Sequence, residues 1–86
     1  MNTITDPKYR IFINCLKLYR EQAGLTQQEL AEKLCCSQSY ISKYEQYQKR
    51  LDILEVRRIC IALGVSLQEC ILDFEEKLIL GGIHNG

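Results

Sequence analysis

The sequence predicts an all-α fold of five helices. Residues whose side chains cap helix N-termini recur along the chain, and three of them are followed three positions later by glutamate, which completes a capping box. Apolar residues at three- and four-residue spacing follow each cap, whereas no segment alternates convincingly as a strand does. The five predicted N-caps are Asp6, Thr26, Ser37, Asp52 and Ser66.

The first helix is expected to run from Pro7, a residue favoured at the first helical position, to about Ala23. Gly24 then supplies the left-handed residue that commonly ends a helix. Its apolar positions are Phe12, Cys15, Leu16 and Tyr19.

The second and third helices lie within residues 26–45, and a few residues around Cys35 and Cys36 separate them. This short connection is typical of a helix-turn-helix and not of a long antiparallel hairpin. We expect the inward residues of the two helices to be Leu30, Ala31, Leu34, Ile41 and Tyr44. The outward polar face of the third helix consists of Gln38, Ser39, Ser42 and Lys43.

A polar connection over residues 47–51 precedes the fourth helix, which opens at Asp52 with Glu55 and closes at Gly64. Its expected apolar positions are Leu54, Val56, Ile59, Ala62 and Leu63.

The fifth helix, over about residues 67–79, carries more apolar surface than an isolated terminal helix should expose. Either it folds back on the first helix to complete the core, or it forms a homodimer interface. The residues concerned are Ile71, Phe74 and Leu78. We expect one domain over residues 1–80 and a flexible tail over residues 81–86.

The composition excludes several classes of protein. With 86 residues, of which 47 % are hydrophobic, the chain has room for one modest core but not for a second, catalytic domain. It has neither the roughly 18 apolar residues of a membrane helix nor a signal-peptide core, so we expect a cytoplasmic protein, associated with the nucleoid when bound to DNA. Because it shows no nucleophile with a nearby histidine, no paired carboxylates and no phosphate-binding loop, we expect no enzyme.

The five cysteines are an odd number and lack the two-residue spacing of zinc or thioredoxin-type sites. They are most simply buried apolar side chains in a reducing compartment. A redox or metal sensor built on the neighbouring Cys35 and Cys36 is the alternative. Since the single histidine, His84, has no ligand constellation around it, we expect no metal and no cofactor.

The formal net charge is zero, which by itself argues against nucleic acid as a partner, because phosphate neutralisation supplies much of that affinity. The charges are unevenly distributed, however. Residues 1–58 hold ten Lys or Arg against seven Asp or Glu, a balance of +3, whereas residues 59–86 hold one against four, a balance of −3. Such a chain can present positive charge to DNA through Lys33, Lys43, Lys49 and Arg50.

Several short motifs in this order and spacing resemble the phage repressor and Cro-like, or Xre-type, helix-turn-helix domains over about residues 12–72. The matching positions are Arg20, Gly24, Leu25, Thr26, Gln27, Leu30, Ala31, Ile41, Tyr44, Glu45 and residues 62–66. The resemblance implies a compact five-helix, lambda-repressor-like domain. It further implies a sequence-specific transcriptional regulator, a repressor, that binds a palindromic operator in double-stranded DNA as a homodimer. An antitoxin or adaptor-type protein-interaction module with the same fold is the alternative.

In such a domain the recognition helix, here residues 37–46, enters the major groove. We expect base contacts from Gln38, Ser39, Ser42 and Lys43, with Gln38 suited to adenine because its carboxamide both donates and accepts. We expect phosphate contacts from Gln27, Ser37, Tyr40, Gln46, Lys49 and Arg50. By similarity to the family, Arg20 and Glu45 form an ion pair that orients the helices; the alternative is two solvated charges.

Three positions depart from the family pattern. Cys35 stands where similar domains favour glycine in the turn, Tyr47 where they often have glycine, and Leu51 where many have proline. A non-glycine residue in a left-handed turn costs roughly 1 kcal/mol. We expect Tyr47 either to reach a phosphate or to pack sideways on the domain.

Overall fold

The computed structural model describes residues 3–81, which contain five α-helices and no strand. The helices are α1 Pro7–Gln22, α2 Gln27–Leu34, α3 Gln38–Glu45, α4 Ile53–Ala62 and α5 Leu67–Leu80. The predicted all-α, five-helix fold class is therefore confirmed, with α2 and α3 forming the helix-turn-helix. Of the tail expected over residues 81–86, Gly81 caps α5 and the remainder lies outside the described residues. None of the five helices is both long and apolar enough to cross a membrane.

Side-chain caps begin each helix at the predicted residue. Asp6 and Ser37 each accept a hydrogen bond from a backbone N–H in the first turn of α1 and α3. Complete capping boxes pair Thr26 with Glu29, Asp52 with Glu55 and Ser66 with Glu69. Each cap satisfies N–H groups that have no partner within the helix and contributes about 1 kcal/mol.

Two turns use non-glycine residues in the left-handed region. Cys35 ends α2 with φ 54°, and Tyr47 follows α3 with φ 62°. These are two of the three positions at which the sequence departs from the family pattern, whereas Gly24 has the expected positive φ of 73°. The turn between α2 and α3 thus keeps its left-handed geometry although it lacks a glycine.

The core lies where the five helices meet. Ala31 is fully buried on α2, the helix that packs most extensively against α3, so a bulkier side chain there would push the two helices apart. Leu54, one of the apolar positions expected in the fourth helix, is 70 % exposed. It lies two residues, or about 200° of helix rotation, before Val56, which begins the buried face of α4. The fully buried residues are Ile13, Cys15, Leu16, Leu30, Ala31, Ile41, Tyr44, Cys60 and Cys70.

The fifth helix packs along α1, as one of the two interpretations predicts. Phe74 lies edge-on against Phe12, with 5.3 Å between ring centroids, and the Tyr19 hydroxyl donates to Asp73. Leu78 is 8 % exposed. The structure therefore corrects the dimer-interface prediction for Leu78, since this side chain is buried against its own chain, while Ile71 remains exposed.

Candidate nucleic-acid interface

The outward face of α3 consists of polar side chains. Its inward residues, Ile41 and Tyr44, are fully buried and fix the rotation of the helix about its axis. Gln38, Ser39 and Lys43 are therefore exposed, and Ser42 is partly exposed and accepts a hydrogen bond from Gln46. The four residues predicted to contact bases thus lie together on one accessible face of α3, a helix of eight residues.

A buried ion pair joins α1 to the end of α3. Arg20 Nε lies 2.7 Å from Glu45 Oε2, and Nη2 lies 3.0 Å from Oε1, which is bidentate geometry. Arg20 is 8 % exposed and Glu45 is 6 % exposed. The third guanidinium nitrogen donates to the carbonyl of Leu25 at 2.8 Å. The hydrogen bond to Glu45 raises the pKa of Arg20 above its ordinary value. Arg20 and Glu45 therefore form a buried structural ion pair between α1 and α3, and not two solvated charges.

The same carboxylate orients the side chain expected to read a base. Gln27 Nε2 donates to Glu45 Oε1 at 2.9 Å, and Gln38 Nε2 donates to Gln27 Oε1 at 2.6 Å. Because a carboxylate only accepts, Gln27 must turn its amide nitrogen toward Glu45 and its oxygen toward Gln38. Gln38 must then donate to Gln27, which leaves it one N–H and its oxygen for a base. A single chain of hydrogen bonds runs from Arg20 through Glu45 and Gln27 to Gln38.

A second polar cluster joins α3 to the first turn of α4. The Tyr40 hydroxyl donates to Glu55 Oε2 at 2.6 Å, and Lys49 Nζ lies 3.5 Å from the same oxygen. Burial and this hydrogen bond raise the pKa of Tyr40. While the Tyr40 hydroxyl donates to Glu55, it cannot also donate to a phosphate, so the expected phosphate contact requires it to change partner.

The segment after α3 is attached to α1 through its backbone. The Tyr9 hydroxyl accepts from the N–H of Leu51 at 2.8 Å and lies 3.4 Å from the carbonyl of Lys49. Tyr47 packs sideways: its hydroxyl donates to Asn14 Oδ1 at 2.6 Å, and the Arg10 guanidinium lies 4.4 Å from its ring centroid. These contacts offset the left-handed strain of Tyr47 and match the packing alternative.

The other predicted phosphate contacts lie around the two ends of α3. Ser37 caps its N-terminus, and Gln46 is exposed at its C-terminus. Arg50 is exposed and stacks over the ring of Tyr9, with 4.7 Å between the guanidinium carbon and the centroid. Gln27, Ser37 and Gln46 thus belong to the helix-turn-helix or its caps, and Lys49 contacts Tyr40 beside it, whereas Arg50 contacts Tyr9 of α1.

Comparison with known proteins identifies the family. A family model described as helix-turn-helix matches residues 16–70, more than half of the chain. The chain belongs to the Xre-type helix-turn-helix family. It is 26 % identical to the control protein C.MunI of Mycoplasma sp. over 74 residues, which are 86 % of this chain and all of that protein.

Solved structures of helix-turn-helix proteins share the fold. An XRE-family-like protein from Pseudomonas syringae pv. tomato is 33 % identical, with a TM-score of 0.77 over 81 % of this chain and 85 % of that one. The restriction-modification controller protein C.Esp1396I, solved as a tetramer with its natural 35-base-pair operator, is 24 % identical. Its TM-score is 0.80 over 87 % of this chain and 99 % of that one.

Sequence reasoning missed several residues that support this surface. Glu55 was recognised as a cap, but its second oxygen also holds Tyr40 and Lys49. The contacts of Tyr9 and Asn14 with the segment after α3 span 33 to 42 residues of sequence. No local pattern in the sequence signals contacts of that range.

Proposed function

We propose that the protein is a sequence-specific transcriptional repressor that binds double-stranded DNA as a homodimer, with α3 in the major groove. The observation that carries the proposal is the hydrogen-bonded chain that ends at Gln38. It presents one donor and one acceptor from an exposed helix face, the pair that an adenine edge requires. The C.Esp1396I complex with operator DNA supports the proposal, because that protein has the same fold.

The remaining face residues complete the proposed contacts. Ser39, Ser42 and Lys43 would reach bases next to the one read by Gln38. Phosphate contacts would come from Gln27, Ser37, Tyr40, Gln46, Lys49 and Arg50, with Tyr40 leaving Glu55 to make its contact. The Gln27 amide keeps one N–H for a phosphate after bonding to Glu45.

A homodimer would bring two recognition helices to half-sites about one helical turn apart, on a palindromic operator. We propose that the exposed side of α5 forms the interface. Ile71 and Leu72 are 41 % and 69 % exposed, and with Gln68 they line an open groove on that helix. Phe74 is partly buried against α1 and would lie at the edge of the interface.

The test is selection of bound sites from random duplexes, followed by binding measurements with variants. Gln38→Ala should weaken binding to the selected site by about 1 to 3 kcal/mol and relax the preference at one base pair per half-site. Lys49→Ala, the matched phosphate variant, should weaken binding to all sequences similarly. It should also reduce the slope of log K against log salt concentration by about 1. Unchanged base preferences in Gln38→Ala would refute the readout assignment.

Two further measurements address dimerisation and repression. Light scattering should give a dimer for the wild type and a monomer for Leu72→Glu. A reporter driven by a promoter that contains the selected site should fall in activity when the protein is expressed. A monomer without DNA affinity at low salt would instead favour an antitoxin or adaptor-type interaction module.

A further inference from the structure

An acidic side chain lies among the residues proposed to contact phosphate. Glu55 is in the first turn of α4, and its two oxygens have different partners. Oε1 accepts from the N–H of Asp52 at 3.0 Å and completes the cap. Oε2 accepts from the Tyr40 hydroxyl at 2.6 Å and lies 3.5 Å from Lys49 Nζ. One carboxylate therefore joins the recognition helix, the segment after it and α4.

These contacts define the surroundings of Lys49 in the free protein. Its ammonium group lies between the Glu55 carboxylate and the face of the Tyr40 ring, 5.5 Å from the ring centroid. The side chains of Lys49 and Glu55 are 38 % and 24 % exposed, so water screens this pair less than it screens a fully exposed one. The hydrogen bond from Tyr40 lowers the pKa of Glu55 below its ordinary value, so the carboxyl group is ionised at neutral pH as an ordinary glutamate is.

We propose that Glu55 is an internal competitor that lowers the affinity of this surface for DNA by holding Lys49, so that a phosphate engages Lys49 only after displacing the carboxylate. This inference rests on the proposed function and adds a residue that tunes it. Phosphate contacts carry no direct sequence information, so the effect should be about equal on specific and random duplexes. Glu55 would thus set the overall strength of binding without altering which bases are read.

The test is a double-mutant cycle on a random-sequence duplex of about 20 base pairs, long enough for two half-sites. Fluorescence anisotropy at low salt gives the affinities of wild type, Glu55→Gln, Lys49→Ala and the double variant. Glutamine preserves the capping box, because its amide oxygen accepts from Asp52 N–H, but it carries no charge to hold the ammonium group. Glu55→Gln should raise the affinity about three- to fivefold. In the Lys49→Ala background the same substitution should give a gain at least about twofold smaller, because only the release of Tyr40 from residue 55 then remains.

A matched control makes the same chemical change elsewhere. Glu69 completes the capping box of α5 by accepting from Ser66 N–H at 3.2 Å, and Glu69→Gln raises the net charge equally. Its effect on affinity should be smaller than that of Glu55→Gln. Equal gains in the two variants, a loss of affinity in Glu55→Gln, or a gain of the same size without Lys49 would each overturn the inference while DNA binding stands. Failure of the wild type to bind either random or selected duplexes would overturn the proposed function and, with it, the inference.

Discussion

Removal of the Glu45 carboxylate should destabilise the protein far more than loss of a surface charge. In Glu45→Ala the Arg20 guanidinium would stay near its buried position with the Leu25 carbonyl as its remaining acceptor, having lost both bonds to Glu45. Breaking a buried pair from one side costs about 3 to 5 kcal/mol. We expect about 3 kcal/mol here, because the bond to Leu25 persists. Arg20→Met should have an effect of the same order.

The size of this effect makes it directly measurable. A chain of this length is stable by roughly 4 to 13 kcal/mol, so the variant should keep about 1 to 10 kcal/mol and still unfold in a measurable transition. With a urea m-value of about 1 kcal/mol/M, the unfolding midpoint followed by circular dichroism should fall by about 3 M. The double variant, Arg20→Met with Glu45→Ala, leaves no charge unpaired and should be no less stable than either single variant.

Two outcomes would refute this reasoning. A loss below about 1 kcal/mol in both single variants would mean that the pair behaves as an exposed one. Strictly additive losses in the double variant would mean that Arg20 and Glu45 act independently.

Three further predictions concern the turn after α2, the core and acid pH. Cys35→Gly should stabilise the protein by about 1 kcal/mol by removing left-handed strain, whereas Gly24→Ala, at a left-handed position without nearby atoms, should destabilise it by a similar amount in urea unfolding. The Tyr44 hydroxyl is buried without a hydrogen-bond partner among residues 3–81, so Tyr44→Phe should keep or raise the melting temperature. A fall in the free energy of unfolding by more than about 1 kcal/mol would show that the hydroxyl is bonded. Hydrogen bonds lower the pKa of Glu55 in the folded protein, so its contribution to stability is present above its unfolded-state pKa and lost as the pH falls through the lowered folded-state pKa. The melting temperature of the wild type should therefore fall more from about pH 6 to about pH 3.5 than that of Glu55→Gln, and equal falls would contradict this assignment.

The helix boundaries could be predicted because their signals are local. A capping side chain and the N–H groups that it satisfies lie within three residues of each other. Gly24 adopts the left-handed conformation after α1, as a glycine can without strain. The inward face of α3 followed from the spacing of Ile41 and Tyr44. Local spacing was less informative for α4. Leu54 is apolar like the core residues of that helix, but it lies about 200° around the helix axis from Val56 and is exposed.

The candidate site was predicted as a set of residues but not as a set of contacts. Gln38 was expected to read a base from the chemistry of its side chain, whereas its orientation depends on Gln27 and Glu45, which belong to α2 and α3. Which apolar side chains of α5 complete the core and which stay exposed likewise followed only from its packing on α1, since apolar spacing is the same in a core and in an interface. Partners that are distant in sequence leave no periodic signal.

The attachment of the segment after α3 has an evolutionary consequence. Its path is fixed through main-chain atoms: Ile4 N–H donates to the Tyr47 carbonyl at 2.7 Å, and Tyr9 engages the backbone of Lys49 and Leu51. Substitutions that change the side chain at 49 keep those anchors and remove only its contacts with Glu55 and the Tyr40 ring, a partly exposed pair whose loss costs at most about 1 kcal/mol. On the proposed function, duplicated copies of such a gene would diverge in overall affinity for DNA through single charge changes at 49, while the face of α3 proposed to read bases stays the same.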